Sequence, residues 1–141
     1  MKHVVIDYEV GNLASLSAGL RRAGLESIIT SNHQIIQDAT SLILPGVGAF
    51  KAAMDALKGK GLIPLIEAHV AKGKPLLGIC LGMQLLYETS YEYGEHAGLG
   101  FMKGEIVPLK KPLKVPHMGW NTLKFHQKSP RVDRLEEGDH V

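Results

Sequence analysis

Pro75-Leu76-Leu77-Gly78-Ile79-Cys80-Leu81-Gly82-Met83-Gln84 decides how this chain is read. Up to Ile79 the stretch is a short apolar run, the pattern of a buried strand. From Leu81 to Glu88 it reads as an apolar helix. Between them, a glycine stands two residues on either side of Cys80. That is the G-x-nucleophile-x-G arrangement, with cysteine where hydrolases often carry serine. A nucleophile on so sharp a strand-to-helix turn needs a strained backbone, and the glycines let neighbouring segments approach without a Cβ clash. The sulfur then stands exposed at a helix N-terminus, where free N–H groups and the dipole favour the thiolate. The Leu81 N–H would point at a developing oxyanion. A lone cysteine in an apolar strand is more often a small buried hydrophobe; the flanking glycines and the strand–turn–helix context favour the nucleophile.

Working outward towards the N-terminus, strand and helix alternate. His3–Ile6 reads as a buried strand closed by Asp7, Gly11 and Asn12. Asn12 is placed to cap a helix whose Leu13, Leu16 and Leu20 share one face. Arg21 and Arg22 suit the last turn of that helix, and Gly24 stops it. Ser27–Thr30 and Ser41–Leu44 read as further strands, the second closed by Pro45-Gly46. Residues 50–58 and 62–71 read as helices. This alternation implies βαβ units, a mostly parallel sheet covered on both faces, and ligands beyond the carboxyl ends of the strands. After Gly94 the pattern changes: Phe101–Leu109 and Gly119–Phe125 look like strands of an antiparallel or mixed extension, joined by Pro- and Lys-rich loops. Residues 1–141 are read as one domain.

Composition narrows the function. The 141 residues are 45% hydrophobic and 21% charged, as in an ordinary globular domain. Sixteen basic against 14 acidic residues leave a net charge of +2. That balance does not suggest a nucleic-acid binder. Lys110, Lys111 and Lys114 are interrupted by Pro112 and read as a solvated loop. The single cysteine excludes an internal disulfide, and without a secretory signal it points to a reducing, cytoplasmic compartment. No apolar run reaches the roughly 20 residues of a membrane helix. No His, Cys or carboxylate cluster has metal-ligand spacing, and Gly46-x-Gly48 lacks the remainder of a dinucleotide fingerprint. Neither a metal nor a cofactor is expected.

Gly78-Ile79-Cys80-Leu81-Gly82-Met83-Gln84 resembles the nucleophile motif of the class-I glutamine amidotransferases, and Leu44-Pro45-Gly46-Val47-Gly48-Ala49-Phe50 resembles their oxyanion strand. With Asp7-Tyr8-Glu9-Val10-Gly11-Asn12 and Pro116-His117-Met118-Gly119-Trp120-Asn121, the resemblance narrows to the glutaminase subunits of imidazole glycerol phosphate synthase and spans the whole chain. It implies a flavodoxin-like, three-layer α/β fold with a mostly parallel sheet and a mixed extension, incomplete at the C-terminus. It implies attack by Cys80 on the side-chain amide of L-glutamine, release of ammonia, and hydrolysis of a glutamyl thioester. The backbone at Val47 and Gly48, with Leu81 N–H, would form the oxyanion hole. Gly46 and Gln84 would contact the substrate. Gln84 lies one helical turn past Cys80 on the same face, although a structural Gln is the plain alternative, as a simple turn is for the two glycines.

The resemblance also implies a (β/α)₈ cyclase partner that receives ammonia through a channel and makes imidazole glycerol phosphate and AICAR in histidine biosynthesis. Asn12, His117, Met118, Trp120 and Asn121 would face it. Trp120 suits either an interface anchor or core packing.

A thiol nucleophile needs a base and a group to orient it. The family supplies both from a Phe-His-Pro-Glu-type segment. None of the seven histidines (His3, His33, His69, His96, His117, His126, His140) is followed by Pro-Glu. His33 reads as a loop residue, His69 as helical, and His96 as part of a Gly-bounded loop. Gly138-Asp139-His140-Val141 looks like a turn feeding a strand that is cut off. The chain is therefore expected to be the first two-thirds of a family member, inactive alone and marginally stable along an open strand edge. Two alternatives stand beside the cyclase-dependent glutaminase: a glutaminase of another amidotransferase branch, and a catalytically inactive docking module.

Overall fold

Four of the short apolar runs become four parallel strands. In this computed structural model, which describes residues 1–109, 118–126, 129 and 134–140, the first compact unit spans Met1–Pro108 and the second Leu109–Val141. The first unit runs β1 (His3–Ile6), α1 (Leu13–Arg22), β2 (Ser27–Thr30), α2 (His33–Gln37), β3 (Ser41–Leu44), α3 (Phe50–Gly59), α4 (Ile63–Ala71), β4 (Leu76–Gly78), α5 (Leu81–Gln84), β5 (Tyr87–Ser90), β6 (His96–Ala97) and β7 (Met102–Ile106). The sheet order is β2-β1-β3-β4, with every pair parallel. The order brings β3 and β4 side by side, with Leu44 opposite Gly78. The loop after β3 and the turn after β4 therefore emerge at the same end of the sheet.

Alternation of side chains divides β1 and β3 between two cores. Val4, Ile6, Leu42 and Leu44 pack with Phe50, Leu57, Leu62, Ile66, Leu81 and Leu85 on one face. Val5 and Ile43 pack with Leu20, Leu13 and Leu16 of α1 and with Ile79 on the other. The leucine stripe expected on α1 is the stripe observed. Asn12 caps that helix, its side chain accepting from the Ser15 N–H at 3.2 Å.

Several local readings differ from the sequence pattern. Residues 33–37 form the short helix α2, capped by Asn32, so His33 is helical rather than a loop residue; its Nε2–H donates to the Lys60 carbonyl at 2.9 Å. The helix expected over Leu81–Glu88 ends at Gln84. The reason is tertiary: the carbonyls of Leu85, Leu86 and Tyr87 accept from Leu99, Met102 and Gly100 N–H at 2.8, 2.9 and 3.1 Å. Those bonds pull Tyr87–Ser90 into a strand that aromatic and β-branched residues suit. His96 belongs to β6 rather than to a loop. The mixed strands exist, but as a separate sheet of order β6-β5-β7, with β5–β6 antiparallel and β5–β7 parallel.

In the second unit, among the described residues, the strand expected over 119–125 is represented by an antiparallel bridge between Thr122 and His140. It is supported by Leu123 N–H to Asp139 O at 2.7 Å and Gly138 N–H to Leu123 O at 3.1 Å. Lys110, Lys111, Lys114, Pro116 and His117 lie outside the described residues. Among the described residues, no helix is long and apolar enough to cross a membrane.

Candidate functional site

Cys80 follows β4 with φ +55° and ψ −119°, a conformation that side chains rarely adopt. Holding a non-glycine residue there costs about 1–3 kcal/mol. Leu81, Leu85 and Leu86 directly after it are all buried, each contributing roughly 1.5–3 kcal/mol of apolar burial, so packing outweighs the strain. Backbone bonds lock the turn on both sides. Ile79 N–H donates to Leu44 O at 3.0 Å, Gly82 N–H to Ile79 O at 3.0 Å, and Met83 and Gln84 N–H to Cys80 O at 3.0 and 3.2 Å. The thiol is left exposed, which removes the reading of Cys80 as a buried hydrophobe. α5 itself is only four residues long, so the helix dipole contributes less here than the sequence pattern suggested.

The flanking glycines are required by contact. A β-carbon on Gly78 would lie 2.6 Å from Met83 Cα, and one on Gly82 would lie 1.9 Å from Leu44 O. Gly46 is confined as well: a β-carbon there would meet the Tyr8 hydroxyl at 2.8 Å, Gly82 N at 2.9 Å and Leu81 Cβ at 3.0 Å. The loop after β3 thus lies directly against the turn that carries Cys80. Gly48 has φ +96° and open space around it, and Val47 is exposed. Among the described residues, the amides of Gly46, Val47, Gly48 and Leu81 donate to no protein acceptor. An exposed thiol on a turn packed against a loop with free backbone donors has the groups needed to attack a carbonyl and stabilise an oxyanion.

The structure brings Gly46 into contact with Leu81 and Gly82, while Cys80, Leu81 and Gln84 share one short turn and helix. Gln84 is half-buried. Asn12 is exposed and engaged as a cap. Met118, Trp120 and Asn121 belong to the second unit. Trp120 is 82% exposed, so it is not a core residue, and Met118 is exposed with it; Asn121 Nδ2 donates to Gly119 O at 3.2 Å. His117 lies outside the described residues. Of the other histidines, His69 is buried, with Nε2–H donating to Pro75 O at 3.0 Å, and His3 Nδ1 pairs with Ser41 Oγ at 2.7 Å.

Two residues at the site escape sequence reasoning. Tyr8, fully buried, donates its hydroxyl to the Pro45 carbonyl at 2.5 Å; burial pushes its phenol well above the ordinary tyrosine range. Glu92 accepts from the Phe50 N–H at 2.6 Å, satisfying the first turn of α3 where the loop from β3 ends. Tyr8 carried the weak signal of an aromatic directly after a buried strand. Glu92 acts across 42 positions and carried none.

Comparison with known proteins identifies the family of the chain. The family model described as "Glutamine amidotransferase class-I" matches residues 4–140. The chain is 50% identical over 142 residues to the "Imidazole glycerol phosphate synthase subunit HisH" of Aquifex aeolicus, covering 100% of this chain and 69% of that protein. It is 50% identical over 140 residues to the protein of that name from Lactococcus lactis, covering 99% and 69%. A solved structure titled "Crystal structure of glutamine amidotransferase" superposes with a TM-score of 0.62 at 22% identity, covering 72% of this chain and 54% of that one. That likeness shows a shared α/β fold. The chain spans about two-thirds of the curated relatives and about half of that solved structure.

Proposed function

The chain belongs to the class-I glutamine amidotransferases, and on that premise we propose that it is the glutamine-hydrolysing part of an imidazole glycerol phosphate synthase, acting in histidine biosynthesis in the cytoplasm. Cys80 Sγ attacks the side-chain amide carbon of glutamine. The oxyanion is held by backbone N–H groups at Val47, Gly48 and Leu81, and Gly46 and Gln84 border the substrate. The carbon–nitrogen bond breaks, ammonia leaves carrying the proton given up by the Cys80 thiol, and water hydrolyses the thioester to glutamate and regenerates the thiol. Ammonia then passes to a cyclase subunit, which Asn12, His117, Met118, Trp120 and Asn121 would face. The match of one family model to residues 4–140 supports reading both compact units as parts of one amidotransferase domain.

The conformation of Cys80 carries this reading. A non-glycine residue held at φ +55° with its sulfur exposed is a costly arrangement that core packing alone does not call for. The test is a complete glutaminase carrying these residues, assayed with its cyclase. Cys80→Ala should abolish glutamine-dependent synthesis and leave synthesis from ammonium salts intact. Glutamine-dependent turnover in Cys80→Ala would overturn the proposal. A second reading, a docking module without catalysis, is favoured for these 141 residues alone because no His-Pro-Glu segment occurs in them. Cyclase binding without Cys80-dependent ammonia release, even when such a segment is supplied, would establish it.

A further inference from the structure

The proposed oxyanion hole is a loop, and a loop stabilises charge only if its peptides are held in place. Nothing inside residues 46–48 does this, because their amides donate to no protein acceptor among the described residues. The restraint comes from the segment that follows β1. Tyr8 is fully buried and its hydroxyl donates to the Pro45 carbonyl at 2.5 Å. The same oxygen would meet a β-carbon on Gly46 at 2.8 Å. Three residues further along that segment, a β-carbon on Gly11 would stand 3.4 Å from Pro45 Cβ. The β1–α1 loop therefore runs beside Pro45 and holds its carbonyl through the Tyr8 hydroxyl.

The peptide group is planar and trans, so the Pro45 carbonyl and the Gly46 N–H point in opposite directions as one rigid unit. Fixing that carbonyl fixes the plane of the peptide immediately before Gly46-Val47-Gly48. Three residues with two glycines have little torsional resistance of their own. Without the anchor, the amides of Val47 and Gly48 would sample several directions. The hydroxyl is well placed to hold, since a buried phenol has no water to exchange for its acceptor.

Resting on the glutaminase reading above, we propose that Tyr8 is a positioning residue for the oxyanion-stabilising loop: its buried hydroxyl pins the Pro45–Gly46 peptide and thereby aims the Val47 and Gly48 amides. Tyr8 does not itself touch substrate. It acts through the peptide it holds.

The test is Tyr8→Phe, which deletes the hydroxyl and keeps the ring, made in a complete glutaminase carrying these residues and compared with the unsubstituted protein by two readouts. The first is the set of backbone amide resonances. The second is the rate of Cys80 modification by a chloroketone analogue of glutamine, which reacts through an oxyanion, relative to iodoacetamide, which does not. We expect shifts and exchange broadening confined to Gly46, Val47 and Gly48, with β1 and β3 unchanged. We expect the chloroketone-to-iodoacetamide ratio to fall roughly tenfold, a fraction of the loss from deleting an oxyanion donor. Unchanged resonances at 46–48 would overturn the inference. So would changes spread over β1 and β3, the mark of a structural role only, and so would a loosened loop with an unaltered ratio. If the unsubstituted complete glutaminase shows no preference for the analogue, the glutaminase reading fails instead, and the resonances still decide whether Tyr8 holds the loop.

Discussion

Gly82 lies so close beneath Leu44 that a β-carbon on it would come within 1.9 Å of the Leu44 carbonyl oxygen. This contact joins the turn carrying Cys80 to the end of β3, and it leaves no room for adjustment, because both partners are backbone and Ile79 N–H already donates to the same oxygen.

Gly82→Ala should therefore cost about 3 kcal/mol, the scale of a forced overpacking. Gly19→Ala is the matched control. Gly19 lies in α1, where a β-carbon would meet nothing within 4 Å, so it should gain about 0.5–1 kcal/mol from helix propensity. Thermal or denaturant unfolding of the two variants checks both. Equal effects would mean that the turn after β4 can shift away from Leu44.

Cys80→Gly should stabilise the fold by about 1 kcal/mol or more, because glycine adopts φ +55° without the steric cost that cysteine bears. Cys80→Ala, which keeps a β-carbon, should leave stability near that of the parent. Chemical denaturation separates the two. A glycine variant no more stable than the alanine variant would show that the turn is not strained.

His69 makes stability fall on acidification. Burial, with added repulsion from Lys74 and Lys72, holds its pKa below the ordinary 6.5, against the smaller opposing effect of its bond to Pro75. Its Nδ1 is buried with no partner among the described residues. Below about pH 6.5 the unfolded chain takes up a proton that the native state resists, so stability present above that pH is lost as pH falls. His69→Gln keeps a neutral donor for Pro75 and cannot titrate. Its melting temperature should drop less between pH 7.5 and pH 5.5 than the parent's, by a few degrees. Identical slopes would assign the acid sensitivity elsewhere.

The 141 residues by themselves should release no ammonia from glutamine above background, since no His-Pro-Glu segment is present to deprotonate Cys80 and orient the base. Iodoacetamide should nonetheless modify Cys80 in the folded state, because the thiol is exposed. Mass spectrometry and a coupled glutamate assay check the pair. Ammonia release that disappears in Cys80→Ala would mean that another group in the chain serves as base.

Local pattern was enough for much of this molecule. Runs such as Val4-Val5-Ile6 and Leu42-Ile43-Leu44 read as buried strands because they are short, apolar and closed by turn residues. The Leu13, Leu16 and Leu20 stripe has one helical face to offer, and Asn12 precedes it as a cap. Gly78, Cys80 and Gly82 announce a strained turn because spacing and side-chain size are properties of the chain itself. What the chain could not reveal depends on partners distant in sequence. Tyr87–Ser90 is a strand rather than the end of a helix because residues 98–102 claim the carbonyls of Leu85, Leu86 and Tyr87. Tyr8 bears on Pro45 from 37 positions away and Glu92 on Phe50 from 42. Propensity acts within a few residues, whereas a hydrogen bond closed across the fold exists only once the sheet order β2-β1-β3-β4 has brought its two ends together.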